Sequence, residues 1–393
     1  MRSPDTSLDS YNVIKIELMI LRPGLINRNL DPTSLYTDST SKVYYAQIDT
    51  MRFINIGIII WGHCLIGWDN YIANNKFDKL LKITVFQTGK IGTIVFFVMA
   101  GFLLRPKLEK YNFKSFRRER LSTICIPWLL FIAFFLLVSI CQQLDIKEIW
   151  IKKDLGQFVI GTYALLNGIV LYTAYWFITT YIITMLLFVS LRKYAERKWL
   201  GILLGMITLM YGINYYHGWI AVNHTKAILA YAVFVWIGIQ VHKYFDQVQY
   251  VVKRIPWPIL VLTLFVLFML SGMEANLLSE IGCADPYGSN RISNSLFSLF
   301  FFIALLKVGE IKCINKLNPR GTVFGIFLIH NLVIYELSAV VKSYISPEWF
   351  NNIWNLLFLQ FSFLVLVMII TYKLVELLGK SNYKWLIGIR PKS

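Results

Sequence analysis

Ten apolar runs of roughly 17 to 25 residues follow one another between residues 51 and 373, each about long enough to cross the ~30 Å hydrocarbon core of a bilayer. Lipid offers the backbone no water, so a crossing segment must satisfy its own N–H and C=O groups as a helix. The chain is therefore predicted to be all-α, a polytopic transmembrane helix bundle. The expected spans are 51–69, 86–104, 121–141, 173–191, 199–215, 226–242, 256–272, 291–307, 320–341 and 352–373. The stretch before the fourth, DLGQFVIGTYALLNGIVLY, is apolar but interrupted by Gly156, Gly161 and Gly168. It reads as an interfacial or re-entrant piece over residues 155–172, with an eleventh span as the alternative. Hydrophobic residues make up 56% of the chain and charged ones 16%, against about 25% charged in soluble domains. The spans leave no length for a second soluble domain of ordinary size. The organisation expected is a polar leader at 1–47, one transmembrane domain at 48–378 and a short basic tail at 379–393.

Basic residues set the orientation. With the N-terminus placed in the cytoplasm, the six segments on that side hold 29 of the 39 Lys and Arg, and the five opposite loops hold 10. That asymmetry is what the positive-inside rule requires, and it makes both termini cytoplasmic. Arg105 to Arg120 alone contributes seven basic residues, and Lys307 to Arg320 four. The net charge of +17 is then an orientation signal facing anionic membrane lipids, not the footprint of a nucleic acid partner. The leader lacks a signal-peptide pattern: Ile14 to Leu21 is too short for an h-region and runs into Arg22-Pro23-Gly24. The five cysteines suggest neither a disulfide framework nor a metal site.

His63 lies eleven residues after Arg52 in the run MRFINIGIIIWGHCLIGW, about 16 Å along a helix from the guanidinium. An ionisable group at that depth costs about 2.5 to 3.5 kcal/mol to insert, and so faces a polar interior or a partner. His330 lies ten residues past Arg320 in the ninth span, which starts from the same side, so the two rings are expected at similar heights. A histidine there suits general-base catalysis of acyl transfer to a hydroxyl, and equally a proton-coupled carrier. The plainer alternative is a ring bonded to a neighbouring carbonyl. No HxxxH or His-plus-carboxylate spacing points to a metal. Arg117, Arg118 and Arg120 stand at the mouth of the third span. Their planar forks suit phosphates, with anchoring to anionic headgroups as the alternative. Tyr175-Trp176-Phe177 opens the fourth span on the outer side, where an interface aromatic belt is also expected.

Five segments together resemble a known family. They are Arg52-x10-His63 in the first span, VFFVMAGFLL (Val95 to Leu104) in the second, RLSTICIPW (Arg120 to Trp128) opening the third, YWFITTYIIT (Tyr175 to Thr184) in the fourth and FLIH (Phe327 to His330) in the ninth. In order and approximate spacing they are similar to the acyltransferase 3 family of integral membrane O-acyltransferases, over about residues 44 to 375. The resemblance implies transfer of an acyl group, usually acetyl and sometimes succinyl, from cytoplasmic acyl-CoA to a hydroxyl of a cell-envelope carbohydrate or glycolipid. It implies a multi-pass protein of the plasma (inner) membrane with acetyl-CoA as the usual donor and no metal. It ties activity to Arg52 and His63 and the CoA end of the reaction to Arg117, Arg118 and Arg120. His330 completes the expected catalytic set, and Trp176 is the expected substrate contact. The chain departs from the family pattern at Ala100, where a serine is usual, at Thr123 or Ile124, where a second basic residue is usual, and at Phe327, where a tyrosine is common. A proton-coupled transporter or exporter of a sugar or glycolipid would use the same two histidines, and consumption of acyl-CoA separates the two readings.

Overall fold

An apolar chain in lipid gains its structure from helices first and from close contact between them second, since lipid tails are as apolar as the side chains they meet. The computed structural model describes residues 45–111, 113–143 and 155–389, and every regular element among them is helical. The expected leader, apart from residues 45–47, lies outside the described residues, as does the tail from residue 390 onward.

Helix α1 (Ala46–Trp61) is followed by α2 (Lys76–Thr88) and α3 (Ile91–Leu108), which join end to end as one 33-residue apolar rod. Then α4 (Phe113–Arg120) passes through a π-helical turn, Leu121–Cys125, into α5 (Ile126–Gln143). Helix α6 (Leu155–Asn167), a second π-helical turn at Gly168–Tyr172 and α7 (Trp176–Ser190) form a pair bent by 63°. Next come α8 (Lys198–His217), α9 (Ala232–Lys243) and α10 (Phe245–Arg254), the last turned 91° from the segment Ile228–Lys243. The bundle closes with α11 (Trp257–Glu280), α12 (Ile292–Val308), α13 (Pro319–Tyr344) and α14 (Ile353–Lys380).

Six of these helical rods are long and apolar enough to cross a membrane, or eight if each bent pair counts as one span. The expectation of ten differs at α1 and α12, which have 16 and 17 residues and rise only about 24 and 26 Å. The expected first span, 51–69, ends early because α1 stops at Trp61 and the chain turns. At that turn Gly62 lies against the α2–α3 junction, where an added Cβ would stand 2.9 Å from the Gly89 Cα. The segment 155–172 is helical and continues into α7 across the 63° bend.

The α2–α3 rod is the most enclosed of the six, with 67% of its apolar window buried, against 17% for α11 at the margin. Two glycines let α3 and α9 touch backbone to backbone. A Cβ at Gly101 would lie 1.9 Å from the Val235 carbonyl oxygen, and one at Gly238 would lie 1.9 Å from that of Val98. Small residues at a crossing permit this approach and the dispersion contact that goes with it. Around the seam lie Phe97, Phe102, Tyr231 and Phe234, all buried. At the start of α12, the buried Glu274 carboxylate accepts the amide protons of Ile292 and Ser293 at 3.2 and 3.0 Å. Arg291 beside it is fully buried and donates to the Ser271 carbonyl at 2.6 Å. Amides that would otherwise lack partners at a helix N-terminus are satisfied in this way.

Gly101→Ala and Gly238→Ala each force a methyl group into an opposing backbone, an overpacking cost of about 1–3 kcal/mol. Gly57, with nothing within 4 Å of an added Cβ, is the matched control. Thermal unfolding of the detergent-solubilised protein is expected to shift down for the first two substitutions and to stay unchanged for Gly57→Ala.

Candidate active site

The turn that ends α1 carries His63, so the imidazole sits just beyond the helix and not within it. Helix ends leave carbonyls without partners, and here protein groups supply them. The amides of Gly62, His63 and Cys64 return to the carbonyls of Ile58 and Ile60 at 3.0 to 3.2 Å. Gln360, buried on α14, donates to the Trp61 carbonyl at 2.8 Å, and the Trp61 indole donates to Val85 at 3.0 Å. His63 is thereby held at a fixed place in the bundle.

Helix α13 brings His330 to it. The two ring centroids are 5.6 Å apart. His330 is fully buried, and its Nδ1 lies 2.7 Å from the Phe327 carbonyl and 3.2 Å from that of Ile326. A carbonyl only accepts, so Nδ1 carries the proton, and Nε2 is left as an acceptor with no protein partner. Tyr175, buried at the start of α7, donates its hydroxyl to the Leu328 carbonyl at 2.6 Å and fixes α7 against this part of α13.

Two cavities lie at opposite ends of α1 and α13. The first, of about 430 Å³, is lined near the start of both helices by Arg52 and Arg320, with Lys107, Arg120, Thr123 and Tyr181 on other elements. Its inner wall includes Phe327, whose ring is 5.6 Å from that of His330. The second, of about 650 Å³, is lined by His63 itself, by Asp69 and Asn70 after α1, by Ser338 and Lys342 at the far end of α13 and by Asn351 in the turn beyond it. The histidine pair therefore lies between a basic cavity and a mixed polar one.

Four cations around the first cavity come from four separate elements. Arg52 is oriented by Asp49, three residues earlier on α1, at 2.5 Å. Lys107 pairs with Glu119 at 3.0 Å. Arg120 and Arg320 have no carboxylate at ion-pair distance among the described residues. Arg320 is placed by the loop before α13. There Thr50 of α1 donates to the Asn315 side chain at 3.0 Å and accepts the Ile311 amide at 3.0 Å, while Asn315 donates to the Ala46 carbonyl at 3.1 Å. Pro319 then starts α13, where a missing N–H costs nothing. Two carboxylates against four cations leave the cavity positive, a setting that recruits phosphate-bearing ligands.

Of the residues singled out in the sequence, Arg52, His63, His330 and Arg120 converge on this axis. Arg117 and Arg118 do not: they are exposed on α4 and line neither cavity. Trp176 also lines neither one. It stacks on His224, with centroids 4.4 Å apart, while His224 meets the Leu171 carbonyl through Nε2 at 2.5 Å. Sequence reasoning missed Arg320, Lys107 and Asp49. Asp49 and Arg52 form a visible i, i+3 pair on a helix, and Arg320 follows the helix-starting Pro319. Among the described residues no group of three or more His, Cys, Asp and Glu is arranged to hold a metal ion.

A helical bundle rich in membrane-length apolar rods defines an integral, multi-pass membrane protein. The chain matches the acyltransferase domain model of the acyltransferase 3 family over residues 45–372, and it belongs to that family of membrane acyltransferases. No curated protein and no solved structure matches it.

The geometry separates the arginines. Arg120→Ala and Arg320→Ala are each expected to weaken binding of inorganic pyrophosphate about ten- to hundredfold, since a hydrogen bond to a charged group contributes about 1.5–3 kcal/mol. Arg117→Ala and Arg118→Ala are expected to leave it unchanged. Pyrophosphate-dependent thermal stabilisation of the purified protein measures the difference.

Proposed function

We propose that the protein transfers an acyl group, acetyl in the first instance and succinyl as the other candidate, from acyl-CoA to a hydroxyl of a cell-envelope carbohydrate or glycolipid. The observation that carries this reading is the line of basic cavity, histidine pair and polar cavity along α1 and α13, in a chain of the acyltransferase 3 family. In this reading the basic cavity faces the cytoplasm of a plasma (inner) membrane, in keeping with the excess of Lys and Arg on that side.

Acyl-CoA would place its phosphates among Arg52, Arg120, Arg320 and Lys107. Its flexible pantetheine arm would lead the thioester past Phe327 to the histidines. The acceptor would enter from the second cavity, where Asp69, Asn70, Ser338 and Asn351 offer the mixed donors and acceptors that a hydroxyl-rich molecule needs. With its proton on Nδ1, His330 presents a bare Nε2 able to take an N–H bond from His63. The other His63 nitrogen is then free to remove the proton of the acceptor hydroxyl. The hydroxyl oxygen attacks the thioester carbonyl carbon and forms the ester. The C–S bond breaks, and the CoA sulfur takes up the proton that His63 received. Acid and base roles thus return to their starting state after one turnover.

His63→Ala is expected to lower transfer by about 10² to 10⁴, the usual contribution of general-base catalysis, with the amount of protein in the membrane unchanged. The measurement compares envelope glycans of cells carrying the wild type and the variant by mass spectrometry. Loss of an ester in the variant names the acyl group and the acceptor together, and identical glycan masses refute the role of His63.

A further inference from the structure

The family match ends at residue 372, yet a residue beyond it lines the basic cavity. Helix α14 runs on to Lys380, and the chain then reverses at Ser381 and makes one tight helical turn at Lys384–Ile387. Gly388 closes the turn in the left-handed region at φ 77°, its amide donating to the Trp385 carbonyl at 3.0 Å. Ile387 anchors this strap. It is buried in the cluster that includes Val323, Ile326 and Val375, and it occupies space left by Gly325, where an added Cβ would lie 3.1 Å from the Ile387 Cβ.

Gly388 then reaches two residues that follow cavity-lining arginines closely in the chain. A Cβ on it would stand 2.5 Å from the Thr123 carbonyl oxygen and 2.9 Å from the Phe324 ring. Thr123 belongs to the π-helical turn that follows Arg120 directly, and Phe324 lies one helical turn past Arg320. All five residues line the same cavity. A π-helical turn is a local departure from regular helix that needs support from outside itself, and the strap lies against this one.

We propose that the carboxyl-terminal strap, residues 384–389, is part of the donor site, with Gly388 as a positioning residue that seats the Arg120 turn and the Arg320 turn at the separation a CoA phosphate group requires. The inference rests on the reading of the basic cavity as the acyl-CoA site. Only glycine combines the positive φ with the missing side chain at this contact. A larger residue must push on the π-helical turn and on Phe324 or move the strap away from them, and either change alters the seat of the Arg120 and Arg320 guanidinium groups.

The test uses Gly388→Val and Ile387→Ser in the full-length protein. Gly388→Val is expected to raise the half-saturation concentration of acetyl-CoA about tenfold or more while leaving that of the acceptor unchanged, a split that general loss of fold does not produce. Ile387→Ser is expected to shift it in the same direction. Unchanged acetyl-CoA half-saturation in folded Gly388→Val, or parallel changes for both substrates, overturns the proposal. Where valine prevents folding, Gly388→Ala decides by the same criterion. A wild-type protein that consumes neither acetyl-CoA nor succinyl-CoA removes the acyl-CoA reading, and the strap is then judged by pyrophosphate. Weakened pyrophosphate binding in Gly388→Val supports the strap's role, and unchanged binding refutes it.

Discussion

A helix that stops inside a bundle exposes carbonyls where there is no water to receive them, and this constraint organises the rest of the molecule. Helix α1 stops at Trp61. Three amides of its own turn and the carboxamide of Gln360, nearly three hundred residues later, close the gap. Removing lipid-facing regularity at this one place is what allows an imidazole to project from a turn instead of a helix face. The cost is met by glycines: Gly62 and Gly89 must come into backbone contact for the turn to fit beside the α2–α3 junction.

The second half of the arrangement follows from α13. The loop that leads into it is tied to the opening turns of α1 through Thr50 and Asn315, and its middle presents His330. Two segments tied together near their starts, and bringing their histidine rings to 5.6 Å of each other, hold the basic cavity and the histidine pair in a constant relation. Preorganisation of this kind suits a site that must align a long, flexible ligand with a small reacting centre. The turn after α1 and the far end of α13 continue to the second cavity, so one pair of segments borders all three parts.

Much of this was legible in the sequence because depth in a membrane is counted directly in residues. Arg52 and His63 eleven apart, and Arg320 and His330 ten apart on a helix of the same orientation, are enough to bring the two imidazoles to one height. The stop at Trp61 was not legible, because it depends on Gly89 and Gln360, which only folding brings near. Of the arginine cluster read as a unit in the sequence, the fold brings one member to the basic cavity. Along α4, Arg117 and Arg118 fall on the exposed face and Arg120 turns toward the cavity. The strap left no signal at all, since a glycine sixteen residues past the matched region acquires meaning only from the carbonyl it touches. The span count differed because α1 ends at Trp61, inside the expected first run, and because α12, at 17 residues, rises only about 26 Å.

The two cavities are walled by different parts of the chain. Residues 62–70 and 338–351 shape one, while residues of α1, α3, α4, α7, the start of α13, the π-helical turn and the carboxyl-terminal strap shape the other. With the histidines between them, a substitution at one mouth has no shared neighbour at the other. Substitutions in residues 62–70 and 338–351 can therefore reshape one cavity while the other keeps its lining, so the two ends of the bundle are free to change independently.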